Sequence, residues 1–310
     1  MAKRKITKWS PPYRGEAYDP PEFDLIRYEK AGPIGRIVLN SPEKRNPIGY
    51  ERLLQIEMAA KLMELDDEIK VIIIKGDGPS FCSGYDITPA KPGEEPRNTP
   101  SGGYIHPDRD PLWQSYDHEH LRVFFTLWDL QKPVIAQIQG YCLAGGSELA
   151  AFCDVRVVAE DAKIGWPVGR TWSPGNVQFM PWLVGLTKAK YYMFTNEPMD
   201  GIEALRCGWA SEAVPAAELE ARTEALAAQI ALTPTDLIML TKRSINRQLE
   251  IQGFRTGMYS SAEFLALAGR RLSTEREGDE FSRRAREHGL TAALKWRDEQ
   301  LGMNYQTKKG

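Results

Sequence analysis

The stretch PVIAQIQGYCLAGGSELAAFCD, running from Pro133 to Asp154, decides the fold. It reads as a buried strand, a tight glycine turn and a helix that opens on Gly145-Gly146. An earlier stretch has the same grammar. VIIIKG (71–76) is a fully apolar run closed by glycine, which suits a central parallel strand, and Ser80-Phe81-Cys82-Ser83-Gly84-Tyr85-Asp86 follows it. Working outward, Phe23, Leu25 and the run Ile34 to Leu39 have strand character, with Ala31-Gly32-Pro33 as the turn between them. Leu53, Leu54, Ile56, Met58, Leu62 and Leu65 recur at helical spacing. EHLRVFFTLWDLQ reads as a helix that stops before Pro133, VRVVAEDAKIG as a pair of strands, and the chain from about Pro181 onward as mainly helical. Alternating strands and helices followed by a helical tail predict an α/β fold with parallel strands and right-handed crossovers.

Three regions are expected. Residues 1–22 carry Pro11, Pro12, Pro20 and Pro21 with few aliphatics, and read as an extended N-terminal arm. Residues 23–234 form the core. Residues 235–310 form a C-terminal helical region, whose remaining apolar faces predict packing against another surface. The segment from Ile87 to about Tyr116 is rich in Pro, Gly and charge, a pattern found in functional or mobile loops.

Composition narrows the function. In 310 residues, 40 Lys and Arg face 42 Asp and Glu, for a net charge of −2. That balance lacks the basic excess of a protein that coats nucleic acid. No run reaches the ~18 apolar residues of a membrane span. MAKRKITKWSPPYRG is basic but no apolar run follows it, so no secretory signal is expected, and the cytoplasm is the expected location. Cys82, Cys142, Cys153 and Cys207 are scattered without a Cys-x-x-Cys pair, and read as reduced, buried residues rather than as a metal site. No dinucleotide glycine motif and no P-loop is present, so no metal, flavin, nicotinamide or nucleoside triphosphate is expected.

Two segments carry candidate chemistry. Ser83-Gly84-Tyr85-Asp86 and Ala144-Gly145-Gly146-Ser147-Glu148 each follow the C-terminal end of a parallel strand, where ligands bind in open α/β sheets. Small residues there admit a ligand to backbone N–H groups. One donor from each segment makes an oxyanion hole, and Glu148, in the first turn of the helix, is placed to move protons. Each segment alone also fits a plain turn, and Glu148 alone fits a charge at a helix N-terminus. The two together, in this order after such strands, favour a site.

These residues resemble the crotonase superfamily, the enoyl-CoA hydratases and isomerases, over most of 23–300. The likeness rests on SPEKRNPI (41–48), VIIIKGDGPSFCSGYDI (71–87), KPVIAQIQGYCLAGGSELAAFCDVRVVAEDAKIG (132–165) and the Gly-x-x-Lys-Ala-Lys run at 185–190. The resemblance implies a spiral of ββα units with a C-terminal helical trimerisation region, assembled as a homotrimer or a dimer of trimers. It implies an acyl-CoA thioester substrate, with coenzyme A entering only as part of it and with no other cofactor. It assigns the oxyanion hole to the N–H groups of Ser83 and Gly145, and the acid–base role to Glu148. Lys44 and Arg45 fall where the family lines the CoA nucleotide, Tyr85, Asp86 and Ile87 border the pantetheine path, and Trp166 falls beside the acyl group.

The chain departs from the family at one place. Hydratases usually carry a second glutamate in a Gly-x-Pro-Glu sequence, and here Gly165-Trp166-Pro167 is followed by Val168. No Asp or Glu stands between Lys163 and Gln178. Either Glu148 serves both proton steps or another group joins it, with Tyr85, His106, His118 and His120 as candidates. Arg170 beside Trp166 and Trp172 has no settled role. Trp113, Trp128, Trp166, Trp172 and Trp182 fit either an aromatic-lined acyl pocket or core packing. Three functions are therefore weighed: a hydratase or isomerase using Glu148, a crotonase-type hydrolase of a thioester or C–C bond, and a non-catalytic subunit that binds CoA thioesters.

Overall fold

The computed structural model describes residues 22–87, 119–167, 177–272 and 276–302. The expected arm, the stretch around His106, Trp113 and His118, and Val168, Arg170 and Trp172 lie outside the described residues.

The chain opens with an antiparallel hairpin of β1 (Ile26–Ala31) and β2 (Ile34–Leu39), turned at Gly32. After α1 (Tyr50–Leu65), β3 (Val71–Gly76) joins β2 in parallel. Helix α2 (Glu119–Asp129) leads to β4 (Val134–Ile138), short β5 (Tyr141–Leu143) and α3 (Gly145–Ala151). Then come β6 (Val155–Ala159), short β7 (Lys163–Gly165), α4 (Met180–Thr195), α5 (Gly201–Arg206), β8 (Glu212–Val214) and α6 (Leu219–Ala231). The main sheet has the order β1-β2-β3-β4-β6-β8, parallel except for β1.

The second layer explains the expected spiral. β5 and β7 pair in parallel in a sheet of their own. Isolated bridges join Ile48 to Tyr85 and Cys82 to Cys142 in the same sense. Each turn of the chain thus adds one strand to the main sheet and one short extended piece to the second layer, then crosses back. β6 and β7 are both strands, as their composition predicts, but they do not pair with each other. The chain turns at Glu160-Asp161, and Lys163 N–H then donates to Gly140 O at 2.7 Å, which delivers β7 to β5.

The core sits on the main sheet. Val71, Ile72, Ile73 and Ile74 of β3 and Val134, Ile135 and Ala136 of β4 are all fully buried, as strands covered on both faces require. Helix α6 lies across β3, β4 and β6, and α1 lies against β1, β2 and α2.

The first helices of the tail meet the body through Lys242 and Phe254. In α7 (Thr235–Ile251), Lys242 Nζ reaches Asp154 Oδ2 at 2.7 Å and the carbonyls of Leu127 and Lys132. At the start of α8 (Phe254–Leu272), the Phe254 ring stacks 4.6 Å from Trp128 and meets Trp182 edge-on at 5.5 Å. Helices α9 (Arg276–His288) and α10 (Leu290–Gln300) pack on each other.

Candidate active site

The site is built where β5 ends. Between β5 and α3 the chain turns a sharp corner at Ala144, whose φ of 46° and ψ of −120° lie in a region suited to glycine. Such a conformation costs roughly 1–3 kcal/mol and persists only when neighbours hold it. Here Ala144 N–H donates to Gly165 O at 2.9 Å, and Ala144 O accepts from Glu148 N–H at 3.0 Å. The corner starts α3 at Gly145, whose N–H belongs to the first turn and has no carbonyl four residues back within the helix.

Close packing explains the two glycines. A Cβ on Gly145 would stand 2.7–2.9 Å from the Cζ, Cε1 and Cε2 atoms of the Tyr85 ring. A Cβ on Gly146 would stand 2.7 Å from Cys82 Cβ and 2.8 Å from Cys82 O. Ser147, fully buried, fastens the helix below them. Its hydroxyl contacts the carbonyls of Cys142 and, at 3.0 Å, Gly165, and so ties α3 to both β5 and β7.

Glu148 is 2% exposed, and the Tyr85 hydroxyl donates to its Oε2. The structure therefore brings Gly145, Glu148 and Tyr85 together, three residues that the sequence assigns to the site. The 80–86 segment runs between β5 and the 45–48 loop. Cys82 N–H donates to Tyr141 O at 2.9 Å, and Leu143 N–H to Cys82 O at 3.1 Å. On the other edge Ile48 N–H donates to Gly84 O at 2.7 Å and Asp86 N–H to Ile48 O at 2.8 Å. In a parallel ladder the residue between two such bonds turns its own peptide groups the opposite way. For Tyr85 that is toward β5 and Gly145.

Ser83 does not fit the role expected of it. Its N–H donates to Arg45 O at 2.8 Å, on the 45–48 edge and away from Gly145. Gly84 is the reason: its φ of 110° breaks the strand alternation, so that Ser83 and Tyr85, which a regular strand would turn to the same edge, face opposite ones.

The loop that carries Lys44 and Arg45 is held by two residues that the sequence reading passed over. Asn46, fully buried at a φ of 54°, accepts from Ser41 N–H at 2.8 Å and donates to the carbonyls of Asp77 and Ser80, each at 2.9 Å. Asparagine tolerates this left-handed geometry, which was the available signal. Arg52, 3% exposed, reaches the carbonyls of Leu25 and Pro47 and the Ser41 hydroxyl. Burial holds its pKa below the usual arginine value. Lys44 and Arg45 themselves are exposed, and the Arg45 guanidinium lies over the Tyr141 ring, 4.9 Å from its centroid. Asp86 and Ile87 are half-buried at the end of the segment.

Trp166 is 3% exposed and packs edge-on to Phe179 at 4.7 Å and Trp209 at 6.1 Å, while its indole N–H has no hydrogen-bond partner among the described residues. Trp128 and Trp182 join the Phe254 cluster instead. Trp166 therefore lies in a different ring cluster from Trp128 and Trp182. His120 lies in the first turn of α2.

The nearby thiols are inert. Burial pushes Cys82 up to about 12 and Cys142 well above the ordinary thiol range, so neither supplies a thiolate. Among the described residues, no group of three or more His, Cys, Asp or Glu side chains is arranged to hold a metal ion. Among them too, no helix is long and apolar enough to cross a membrane.

Comparison with known proteins agrees with this geometry. The profile of the enoyl-CoA hydratase/isomerase family matches residues 29–278. The chain is 29% identical over 262 residues to a short-chain-enoyl-CoA hydratase of Clostridium acetobutylicum, covering 83% of this chain and 93% of that protein. Among solved structures, an enoyl-CoA hydratase of Mycobacterium smegmatis superposes with a TM-score of 0.79 at 32% identity, covering 92% of this chain and 97% of the other. An enoyl-CoA hydratase/isomerase of Xanthobacter autotrophicus Py2 gives a TM-score of 0.77 at 31% identity, over 90% and 99% of the two chains. A profile match over most of the chain, relatives aligned almost end to end and the two-layered spiral all lead to one conclusion: the chain belongs to the enoyl-CoA hydratase/isomerase family of the crotonase superfamily.

Proposed function

We propose that the protein adds water to the double bond of an enoyl-CoA thioester, with Glu148 as its acid–base group. The observation that carries this reading is the buried Glu148 carboxylate beside Gly145 at the Ala144 corner. Gly145 N–H, together with the Tyr85 N–H that faces the same side, would hold the thioester oxygen. As water attacks the β-carbon, negative charge moves onto that oxygen. Backbone donors fixed in place stabilise it without reorganising, and one donor of this kind is worth about 3–4 kcal/mol. Glu148 takes the proton of the attacking water.

In this reading Lys44 and Arg45 meet the phosphates of the CoA nucleotide, supported by their exposure on a clamped loop. Asp86 and Ile87 border the pantetheine arm, and Trp166 supports the acyl side from the core. No cofactor is needed beyond the coenzyme A of the substrate, because water addition to a conjugated thioester exchanges only protons. Residues 23–234 act as the acyl-CoA-binding core and 235–310 as the region through which subunits join. Leu237, Leu240, Ile245 and Ile251 stand exposed on α7 and supply apolar surface for a homotrimer or dimer of trimers. A cytoplasmic enzyme with no nucleic-acid or membrane partner fits the balanced charge.

The test is incubation of the purified protein with crotonyl-CoA and a series of bulkier enoyl-CoAs, following loss of the conjugated absorbance and release of free CoA thiol. Loss of absorbance without thiol release is the expected result. Thiol release instead would favour the hydrolase reading, which Val168 at the usual glutamate position keeps in view. Binding of the thioesters with neither reaction would favour a non-catalytic subunit.

A further inference from the structure

We infer that the Tyr85 hydroxyl is the second proton-transfer group of the site, giving its proton to the substrate α-carbon and being reprotonated by Glu148, which takes a proton from water. The inference rests on the hydration reading and deepens it. Water addition needs one group to deprotonate water and a route that returns a proton to the α-carbon. No carboxyl side chain stands between Lys163 and Gln178 to supply that route.

Two observations place Tyr85 there instead. Its hydroxyl donates to Glu148 Oε2, so the two groups share a hydrogen bond along which a proton can pass. Its ring atoms Cζ, Cε1 and Cε2 lie 2.7–2.9 Å from where a Gly145 Cβ would be, which sets the phenol end against the backbone that would hold the thioester oxygen. The α-carbon of a thioester lies two bonds from that oxygen, so a hydroxyl at this point is within its reach. Glycine at 145 is what makes room for the ring.

The step balances. Glu148 takes a proton from water as the oxygen bonds to the β-carbon, and the π electrons move onto the thioester oxygen as an enolate. The enolate re-forms the carbonyl as the α-carbon takes the Tyr85 hydroxyl proton. The proton on Glu148 then passes to the Tyr85 oxygen. Water has been added, and both side chains return to their starting states.

The experiment compares the wild-type protein with Tyr85→Phe, which keeps the ring on Gly145 and deletes only the oxygen. Two activities are read, crotonyl-CoA hydration and deuterium uptake at the α-carbon of butyryl-CoA in heavy water, alongside butyryl-CoA binding and thermal stability. The expected result is a fall of about 10²-fold or more in kcat and in exchange. KM and butyryl-CoA affinity stay within about threefold, because the ring and both backbone donors remain. A Glu148→Gln/Tyr85→Phe double variant should be no slower than the slower single variant, as expected for two groups acting as one unit. Hydration and exchange within threefold of wild type in Tyr85→Phe would overturn the inference. A wild-type protein that exchanges α-protons without hydrating any enoyl-CoA would overturn the hydration reading alone, and Tyr85 would then be judged by exchange.

Discussion

Ala144 and Gly145 divide the work of the corner between them. Gly145 is glycine because the Tyr85 ring occupies the place of its side chain. Ala144 carries the strain, with a left-handed φ of 46° that two backbone hydrogen bonds hold in place. Ala144→Gly should therefore raise stability. Relief of roughly 1–3 kcal/mol of strain outweighs the roughly 0.5–1 kcal/mol that glycine loses in chain entropy. Urea unfolding checks this, and a lower midpoint at unchanged slope would mean that the corner is unstrained. At this scale the sequence was legible wherever chemistry depends on residue type. Glu148 and the glycines named themselves. Ser83 misled because the positive φ of Gly84 interrupts the alternation of the segment, and the partners that show this, Arg45 and Ile48, lie far off in sequence. The Tyr85–Glu148 contact joins residues 63 apart and has no local signature.

At the scale of elements, short pieces are positioned by fastenings rather than by their own propensity. Helix α3 is a two-turn helix, too short to be stable alone, and its Ser147 hydroxyl spans two carbonyls of the second layer. Ser147→Ala leaves those carbonyls without that donor and should cost about 1–3 kcal/mol. Loss of activity should follow loss of fold rather than precede it. A variant as stable as wild type would show that the hydroxyl is dispensable. The long elements were legible from periodicity, α1 from its helical spacing and β3 from its unbroken apolar run. β6 and β7 were legible as strands but not as members of different sheets. The turn at Glu160-Asp161 encodes a change of direction, while the partner of β7 is decided by β5 some twenty residues earlier. The 41–48 loop was legible as a motif, whereas the Asn46 and Arg52 bonds that hold it became visible only in three dimensions.

Over the whole molecule, a buried ion pair ties the helical tail to the sheet, beside the Phe254 contacts. Lys242 Nζ and Asp154 Oδ2 meet at 2.7 Å, and Asp154 also accepts from Val134 N–H at 2.7 Å, at the edge where β4 and β6 begin. Burial pushes Asp154 above the usual carboxylate range, and the lysine opposes that shift. Lys242→Met removes the counter-charge and should destabilise the protein by about 3 kcal/mol, because the carboxylate remains enclosed. Denaturant unfolding measures this, and a change below about 1 kcal/mol would mean that the tail is held by its apolar contacts alone. Both the join and the Ala144 corner depend on the same two-layered sheet, which sets Glu148 beside Gly145. The most direct measurement of the central claim is therefore crotonyl-CoA hydration by Glu148→Gln, with butyryl-CoA affinity measured on the same preparation. A fall of about 10²–10⁴-fold in kcat with affinity nearly unchanged is the predicted result, since shape is kept and proton transfer is lost. Undiminished turnover would contradict the account and remove Glu148 from the mechanism.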